Sequence, residues 1–408
     1  MPPSLYPAAI QPQDRANPPC PHFGSCGGCQ LQHLTYTAQL RDKAGQLRTL
    51  IEATGLVLPE LQLHPSPPLA YRNRIRLTLA EVGGQLRAGY LPNQQPATNK
   101  QQPTFLPIDQ CPIAAPILWR AAEALLTQIN VQPTLWLRNP QLALDQLEIF
   151  TTADESGLQF TLFLRTGLKA LPKKLTADFT TLCESLRTAL PELTGAGIAT
   201  LPTLSKDRSR RNEQPRPGPT WGKPGLTYRV AEIDYWVPRT AFFQVNRYLI
   251  PELVSLVANN STGQLAFDLY AGVGLFSRAL AARFTQVTAV EIAEPAFTAL
   301  AAARLSNLRA VKATTLDFLR VAVLQRDRPD LIVLDPPRSG AGPEVCALLA
   351  RIAAPTLVYV SCSPEALSSD LQTLTTLAGP SGYTLAELHL FDLFPQTTHI
   401  ETVAILTR

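Results

Sequence analysis

From residue 265 onward, short apolar runs alternate with amphipathic stretches: 265–270, 287–291, 331–335 and 357–361 read as strands, with helical patterns between them. That alternation predicts a parallel, doubly wound sheet of the α/β class. Two further apolar runs, 383–390 and 400–407, are separated only by residues 391–399. Such a connection is too short for a crossover helix, so this terminal pair is predicted to be antiparallel. Upstream, 37–54 reads as a helix, and 71–79 as a strand with Arg72, Arg74 and Arg76 on one face. Residues 144–150 and 158–165 read as a hairpin around Ser156-Gly157. No internal repeat is evident, and the alanine-rich stretch 296–304 only favours helix.

With 408 residues, 45% of them hydrophobic, the chain can build two or three cores. Its net charge of +4 permits a polyanionic partner without requiring one. No apolar run reaches membrane-spanning length and no signal peptide opens the chain, so a cytoplasmic location is expected. The 37 prolines concentrate in 1–21 and 212–224, which read as a flexible tail and an irregular loop. The expected organisation is a proline-rich tail over 1–19, a central α+β domain over 20–230 and the doubly wound domain over 231–408.

A parallel sheet closed by an antiparallel pair resembles the S-adenosylmethionine-dependent methyltransferase fold, and dinucleotide dehydrogenases lack that ending. In the segment Phe267-Asp268-Leu269-Tyr270-Ala271-Gly272-Val273-Gly274, two glycines follow the first strand, where backbone must approach a ligand. Glu291 closes the next strand and is placed to bind ribose hydroxyls. Ser277 stands where the dehydrogenase fingerprint wants a third small residue, which favours adenosylmethionine over nicotinamide. Asp335-Pro336-Pro337-Arg338 follows the fourth strand. A structural role, with prolines ending the strand and Arg338 pairing with Asp335, stands beside a role in gripping an anion or carbonyl.

Cys362 ends the next strand. Ser363 suits an N-cap and Pro364 the first helical position, so a helix N-terminus should face the sulfur and favour its thiolate. A packed small hydrophobe is the alternative for a cysteine at such a place. Segment 391–401 contributes Asp392, His399 and Glu401, groups that on a surface would merely be solvated.

Four motifs together, Phe242-Phe243-Gln244-Val245-Asn246, the glycine loop, 335–340 leading to Ser361-Cys362, and 391–401, resemble the RNA uracil-5-methyltransferase family, which includes transfer RNA and 23S ribosomal RNA enzymes. The resemblance spans 20–408. It implies Cys362 as nucleophile toward C6 of uracil, Glu401 as the base removing the C5 proton, and Gln244, Tyr270, Gly272, Glu291 and Asp335 around the cofactor S-adenosylmethionine and the target base. Ser363 replaces a usual asparagine but can still cap a helix. Leu275 stands where an asparagine often meets the cofactor, and Thr314, with Asp317 one turn on, occupies the position after the third strand.

Cys20, Cys26 and Cys29 fall close together, and Cys111 precedes Pro112. Four thiolates suit tetrahedral zinc or an iron-sulfur cluster, and the radical-adenosylmethionine spacing differs. Members of the resembled family hold a [4Fe-4S] cluster on this arrangement, which makes the cluster the expected group and zinc the alternative, with a structural or RNA-orienting role. His22 reads as a solvated neighbour, and Cys183 and Cys346 as packed thiols on helices.

The small β-barrel RNA-binding module that opens many family members has no room before Cys20. RNA contacts are then expected from Tyr71 with Arg72, Arg74 and Arg76, and from the basic stretch 206–211; a solvated strand face and a solvated loop are the plain alternatives. RNA is the expected partner, with ribosomal RNA favoured and transfer RNA the alternative; no membrane or obligate protein partner is implied. Competing functions are methylation of cytosine or an exocyclic nitrogen, and a non-catalytic RNA-binding or iron-sulfur protein.

Overall fold

The computed structural model describes residues 11–91, 105–131, 142–168, 171–201, 215–259, 261–377 and 382–408. It divides into two compact units: Met1–Pro21, Gly28–Pro68 and Tyr248–Arg408 make the first, and His22–Gly27 with Leu69–Arg247 the second. The division differs from the expected boundary between 230 and 231, and most of the segment before residue 69 belongs with the C-terminal sheet.

The reason lies in that sheet's edge. Among the described residues the first unit holds an eight-stranded sheet in the order Leu61–His64, Thr384–Phe391, Glu401–Thr407, Thr356–Ser361, Leu331–Leu334, Gly263–Leu269, Phe284–Glu291, Leu308–Lys312. The five strands from Thr356–Ser361 to Leu308–Lys312 run parallel. As expected, the C-terminal pair is antiparallel, and Glu401–Thr407 inserts antiparallel to both of its neighbours. Leu61–His64 adds a parallel edge strand against Thr384–Phe391. Central strands buried on both faces read as continuous apolar runs, and every residue of Leu331–Leu334 is wholly buried.

The helix Tyr36–Glu52 packs on this unit, its start capped by the Thr35 hydroxyl, which accepts a hydrogen bond from the Ala38 amide at 3.4 Å. Its buried stripe steps by four through Gln39, Lys43, Leu47 and Ile51. Leu47 and Ile51 join the core with Leu61, Leu357, Leu388 and Leu406, but the first two members of the stripe are polar. The expected loose tail is also tied down over its described part. A short 3-10 turn, Pro12–Asp14, is held by Arg41 donating to Asp14 at 2.6 Å and by a bridge between Arg15 and Leu34.

The second unit carries, among its described residues, a seven-stranded sheet ordered Leu106–Pro107, Gln85–Tyr90, Arg74–Val82, Ala143–Thr151, Leu158–Arg165, Leu193–Leu201, Arg216–Gly222, covered by helices Pro116–Val131 and Lys173–Ala189. The expected hairpin forms between Ala143–Thr151 and Leu158–Arg165. The expected proline-rich loop over 212–224 becomes, in its described part, an edge strand. An edge position tolerates Pro217 and Pro219 because a missing N–H can face solvent there.

Candidate active site

Sheet register brings the two principal site residues together. Ser361 pairs with Thr402 on adjacent antiparallel strands, so one step further along the same ladder sets Cys362 against Glu401. Phe391 faces Glu401 from the other side. Pro364 starts the helix Pro364–Leu377, and the Ser363 hydroxyl accepts from the Ala366 amide at 3.3 Å, the capping expected from the sequence. Cys362 lines a cavity of about 760 Å³ with Arg338, Glu365, Thr398, His399 and Ile400, together with residues of the helix Tyr36–Glu52.

The electrostatics of this group depart from expectation. Burial first, and then the nearby charges of Glu401 and Asp335, push the Cys362 thiol up to about 11, against which Arg338 pulls it down. The resting sulfur is therefore a thiol, and desolvation beside two carboxylates outweighs the helix terminus. Glu401 is 2% exposed, and burial followed by repulsion from Asp335 holds its carboxyl well above the usual range, again opposed by Arg338. Arg338 is thus the shared cation of the site.

A pH dependence follows. If both Cys362 and Glu401 must lose a proton to act, each contributes in its ionised form, and both are shifted upward. The single-turnover rate should climb with pH from about 7 to about 9, with a logarithmic slope of about one from the thiol and up to about two where the carboxyl is also still protonated. A rate flat over that range, measured by rapid quench, would contradict the assignment.

A second cavity, of about 490 Å³, opens at the carboxyl ends of the first two strands and is lined by Tyr270, Glu291, Ile292, Thr314, Leu316 and the 341–345 loop. Both Glu291 carboxylate oxygens are oriented by backbone, accepting from the Gly272 amide at 2.8 Å and the Ala293 amide at 2.5 Å. Their other lone pairs are available to a ribose diol. Gly272 has φ +58° and open space where a Cβ would stand, whereas a Cβ on Gly274 would meet the Leu300 side chain at 2.7 Å. Asp268 is buried with its Oδ1 atom unpartnered among the described residues, and desolvation pushes its carboxyl up to about 7. A cavity of this size at the carboxyl edge of the sheet, with a fixed Glu291 carboxylate beside an open glycine, fits S-adenosylmethionine. Thr314 lines the cavity and caps the helix Thr315–Gln325, while Asp317 is spent on that cap, accepting from the Thr314 hydroxyl at 2.6 Å.

Some participants had escaped the sequence. Ser277, noted only as a misfit to the dehydrogenase pattern, donates a short hydrogen bond to Asp268. Asp370 accepts from the Ala341 amide at 2.7 Å, the Gly342 amide at 3.2 Å and the Tyr359 hydroxyl at 2.6 Å. These bonds fix the loop after Arg338, and no local pattern around Asp370 announces them.

Gln244 belongs to the second unit, where it is buried and its carbonyl accepts from Asn73 at 3.0 Å. The four cysteines divide between the units, Cys20 and Cys29 in the first, Cys26 and Cys111 in the second. Among the described residues no three His, Cys, Asp or Glu side chains gather as a metal would require. The [4Fe-4S] or zinc expectation thus finds no assembled ligand set here. His22 is not simply solvated, since its Nε2 lies 2.8 Å from Asp109. Cys183 and Cys346 are packed in helices as expected.

The arginine face is also revised. Tyr71 is wholly buried and cannot stack on a base. Arg74 donates to the Ala241 carbonyl at 2.7 Å and lies 4.2 Å over Phe150, and Arg76 lies 4.2 Å over Phe163. The Arg74 guanidinium is thus committed within its own unit, whereas Arg76, over Phe163 and bonded to Gln146, stays exposed. The basic stretch 206–211 lies outside the described residues.

Comparison with known proteins agrees with this geometry. The model of the tRNA (uracil-5-)-methyltransferase family matches residues 223–408. The 23S rRNA (uracil(1939)-C(5))-methyltransferase RlmD of Chromohalobacter salexigens is 31% identical, covering 97% of this chain and 77% of that protein. The chain belongs to the RNA uracil-5-methyltransferase family. Another relative, named an uncharacterized RNA methyltransferase in Thermotoga maritima, is 30% identical over 97% of this chain and 86% of its own. The crystal structure of Pyrococcus abyssi tRNA (uracil-54, C5)-methyltransferase, in complex with S-adenosyl-L-homocysteine, shares the fold with a TM-score of 0.68 at 24% identity, covering 93% of this chain and 86% of that one. In this uracil-5-methyltransferase family member, the sheet and its antiparallel ending are therefore the fold expected from the sequence. None of its described helices is long and apolar enough to cross a membrane.

Proposed function

We propose that this protein methylates C5 of a uridine in 23S ribosomal RNA through a transient bond between Cys362 and C6 of the base. The observation that carries the proposal is the ladder register that sets Cys362 against Glu401 within reach of the charges of Asp335 and Arg338. The ribosomal substrate rests on the relative that covers 97% of the chain; transfer RNA is the alternative outcome.

C5 of uracil is a weak nucleophile. Once the Cys362 thiol has given up its proton to solvent, attack of the thiolate at C6 forms an S–C6 bond and moves the C5=C6 electron pair toward the C4 oxygen, leaving C5 enolate-like. Arg338, which lines the Cys362 cavity, is the cation offered to that charge. Glu291 and Tyr270 would hold S-adenosylmethionine, which when bound would supply an electrophilic methyl group to C5 and leave as S-adenosylhomocysteine. Glu401 then accepts the C5 proton; the C–H electron pair restores C5=C6, and the S–C6 bond breaks to release Cys362. The base must leave any helix to reach a sulfur in a cavity. Methylation of an exocyclic nitrogen needs no such adduct, so Cys362 and Glu401 would have no task in that reaction.

Mass mapping of ribosomal and transfer RNA from cells lacking the protein is the test. Loss of one 5-methyluridine in 23S RNA is expected; loss confined to transfer RNA would redirect the substrate, and intact RNA would end the proposal. The four cysteines take no part in these steps, since methyl transfer moves no electron. Iron and sulfide analysis of anaerobically purified protein decides the cluster: stoichiometric iron supports it and metal-free protein removes it.

A further inference from the structure

The loop 392–400 connects the last two strands of the first unit, ends on Glu401, and places Thr398, His399 and Ile400 on the wall of the Cys362 cavity. A connection without a ladder of its own has to be fixed by ties from elsewhere. Nearly all of those found come from one short upstream stretch of chain.

The tightest knot is at Gln396, whose backbone adopts the left-handed conformation with φ +70°. Its carbonyl accepts from the Gln30 and Leu31 amides, both at 3.0 Å, and its own amide donates to the Gln39 side-chain oxygen at 2.9 Å. The Gln39 side-chain nitrogen is shared among the Gln396 side chain at 3.0 Å and the carbonyls of Leu31 and Leu34 at 3.1 and 3.0 Å. One helical turn further on, Lys43 donates to Asp392 at 2.6 Å and to the Phe394 carbonyl at 3.0 Å. Gln39, Lys43, Asp392 and Gln396 are all buried.

A buried ion pair is weak evidence for stability, because well-packed apolar residues of similar volume commonly serve as well or better. What an ion pair with further hydrogen bonds adds is a single allowed geometry. Polar residues at the start of a helical core stripe are therefore best explained by something that needs exact placement, and the loop they hold delivers a carboxylate into a reaction site. Misplacement of a reacting group by about 1 Å can cost on the order of a hundredfold in rate.

We propose that the Gln30–Lys43 stretch is the brace that sets Glu401 for proton removal, with Lys43 and Gln39 as positioning residues acting through Asp392 and Gln396. The proposal rests on Glu401 being the base, and it separates this late step from the earlier addition and methyl transfer. Those steps depend on Cys362 and the cofactor cavity; Arg41 and Asp42 of the stretch also line the Cys362 cavity, but Gln39 and Lys43, the two residues that hold the loop, do not.

The test uses the full-length protein with S-adenosylmethionine and two 23S ribosomal RNA transcripts, one made with uridine and one with 5-fluorouridine. Fluorine at C5 cannot leave as a cation, so the fluorinated RNA stays bonded to the enzyme after methyl transfer without calling on Glu401. The Lys43→Gln, Asp392→Asn double variant replaces the ion pair by a neutral hydrogen-bonded one, and Gln39→Met independently removes the ties to Gln396. For each, turnover on uridine RNA is expected to fall at least about tenfold with the RNA KM unchanged. The uridine adduct should accumulate on denaturing gels, and the fluorinated adduct should form within about twofold of the wild-type rate. Turnover and fluorinated-adduct formation falling together would show a merely structural role and overturn the proposal, as would unchanged turnover in both variants. Failure of the wild-type protein to trap fluorinated RNA would instead defeat the thiol mechanism itself.

Discussion

Cys362→Ala is expected to abolish methyl incorporation into RNA, a loss of at least about four orders of magnitude, while S-adenosylmethionine still binds. The separation is physical. Cys362 lines one cavity, and Glu291 and Tyr270, proposed to hold the cofactor, line another, so removing the sulfur takes away the attack on C6 without disturbing either. Because the side chain is only partly buried at the end of its strand, truncation leaves little cavity and the variant should fold. Calorimetric titration of the cofactor and a methyl-transfer assay on the same preparation check both halves. Residual transfer within about tenfold of wild type would remove Cys362 from the mechanism.

Glu401→Gln is the second large effect, and it has the opposite signature. Turnover should fall by about a hundredfold to ten-thousandfold, the range of a lost general base, yet RNA should remain covalently attached to the protein. The buried carboxylate of Glu401 is one of the charges that hold the Cys362 thiol up. A neutral amide of the same shape removes that repulsion, so formation of the thiolate and its addition to C6 should not be slowed. The deficit must then appear at proton removal, where the methylated adduct waits. Denaturing gels would show a shifted protein–RNA band in Glu401→Gln and none in Cys362→Ala. An unshifted Glu401→Gln protein with low turnover would place the glutamate before the covalent step rather than after it.

Both predictions turn on a pair of residues that lie far apart in sequence, and their legibility was uneven. That Cys362 terminates a strand and precedes a capped helix is local information: four apolar residues before it, and a serine and a proline after it, announce it, and Ser363 does cap Pro364–Leu377. The meeting with Glu401 is a matter of register between strands, and only the antiparallel ladder from Thr356–Ser361 to Glu401–Thr407 supplies it. The charge state went the other way from the local expectation. A helix N-terminus is visible in sequence, whereas desolvation and a second carboxylate arriving from another strand are not.

The sequence by itself determined the alternation of strands and helices, the antiparallel ending and the place of Cys362 between a strand and a capped helix, because each depends on periodicity or capping within a few residues, while the roles proposed for Cys362 and Glu401 came from the family resemblance. Only the tertiary structure decided that Gly28–Pro68 belongs with the C-terminal sheet, that Lys43 is buried against Asp392, and that Arg74 lies over Phe150 and donates to the Ala241 carbonyl. Each of those depends on a partner distant along the chain. A lysine in a helix or an arginine on a strand looks solvated until the folded chain removes its water and supplies the group that replaces it.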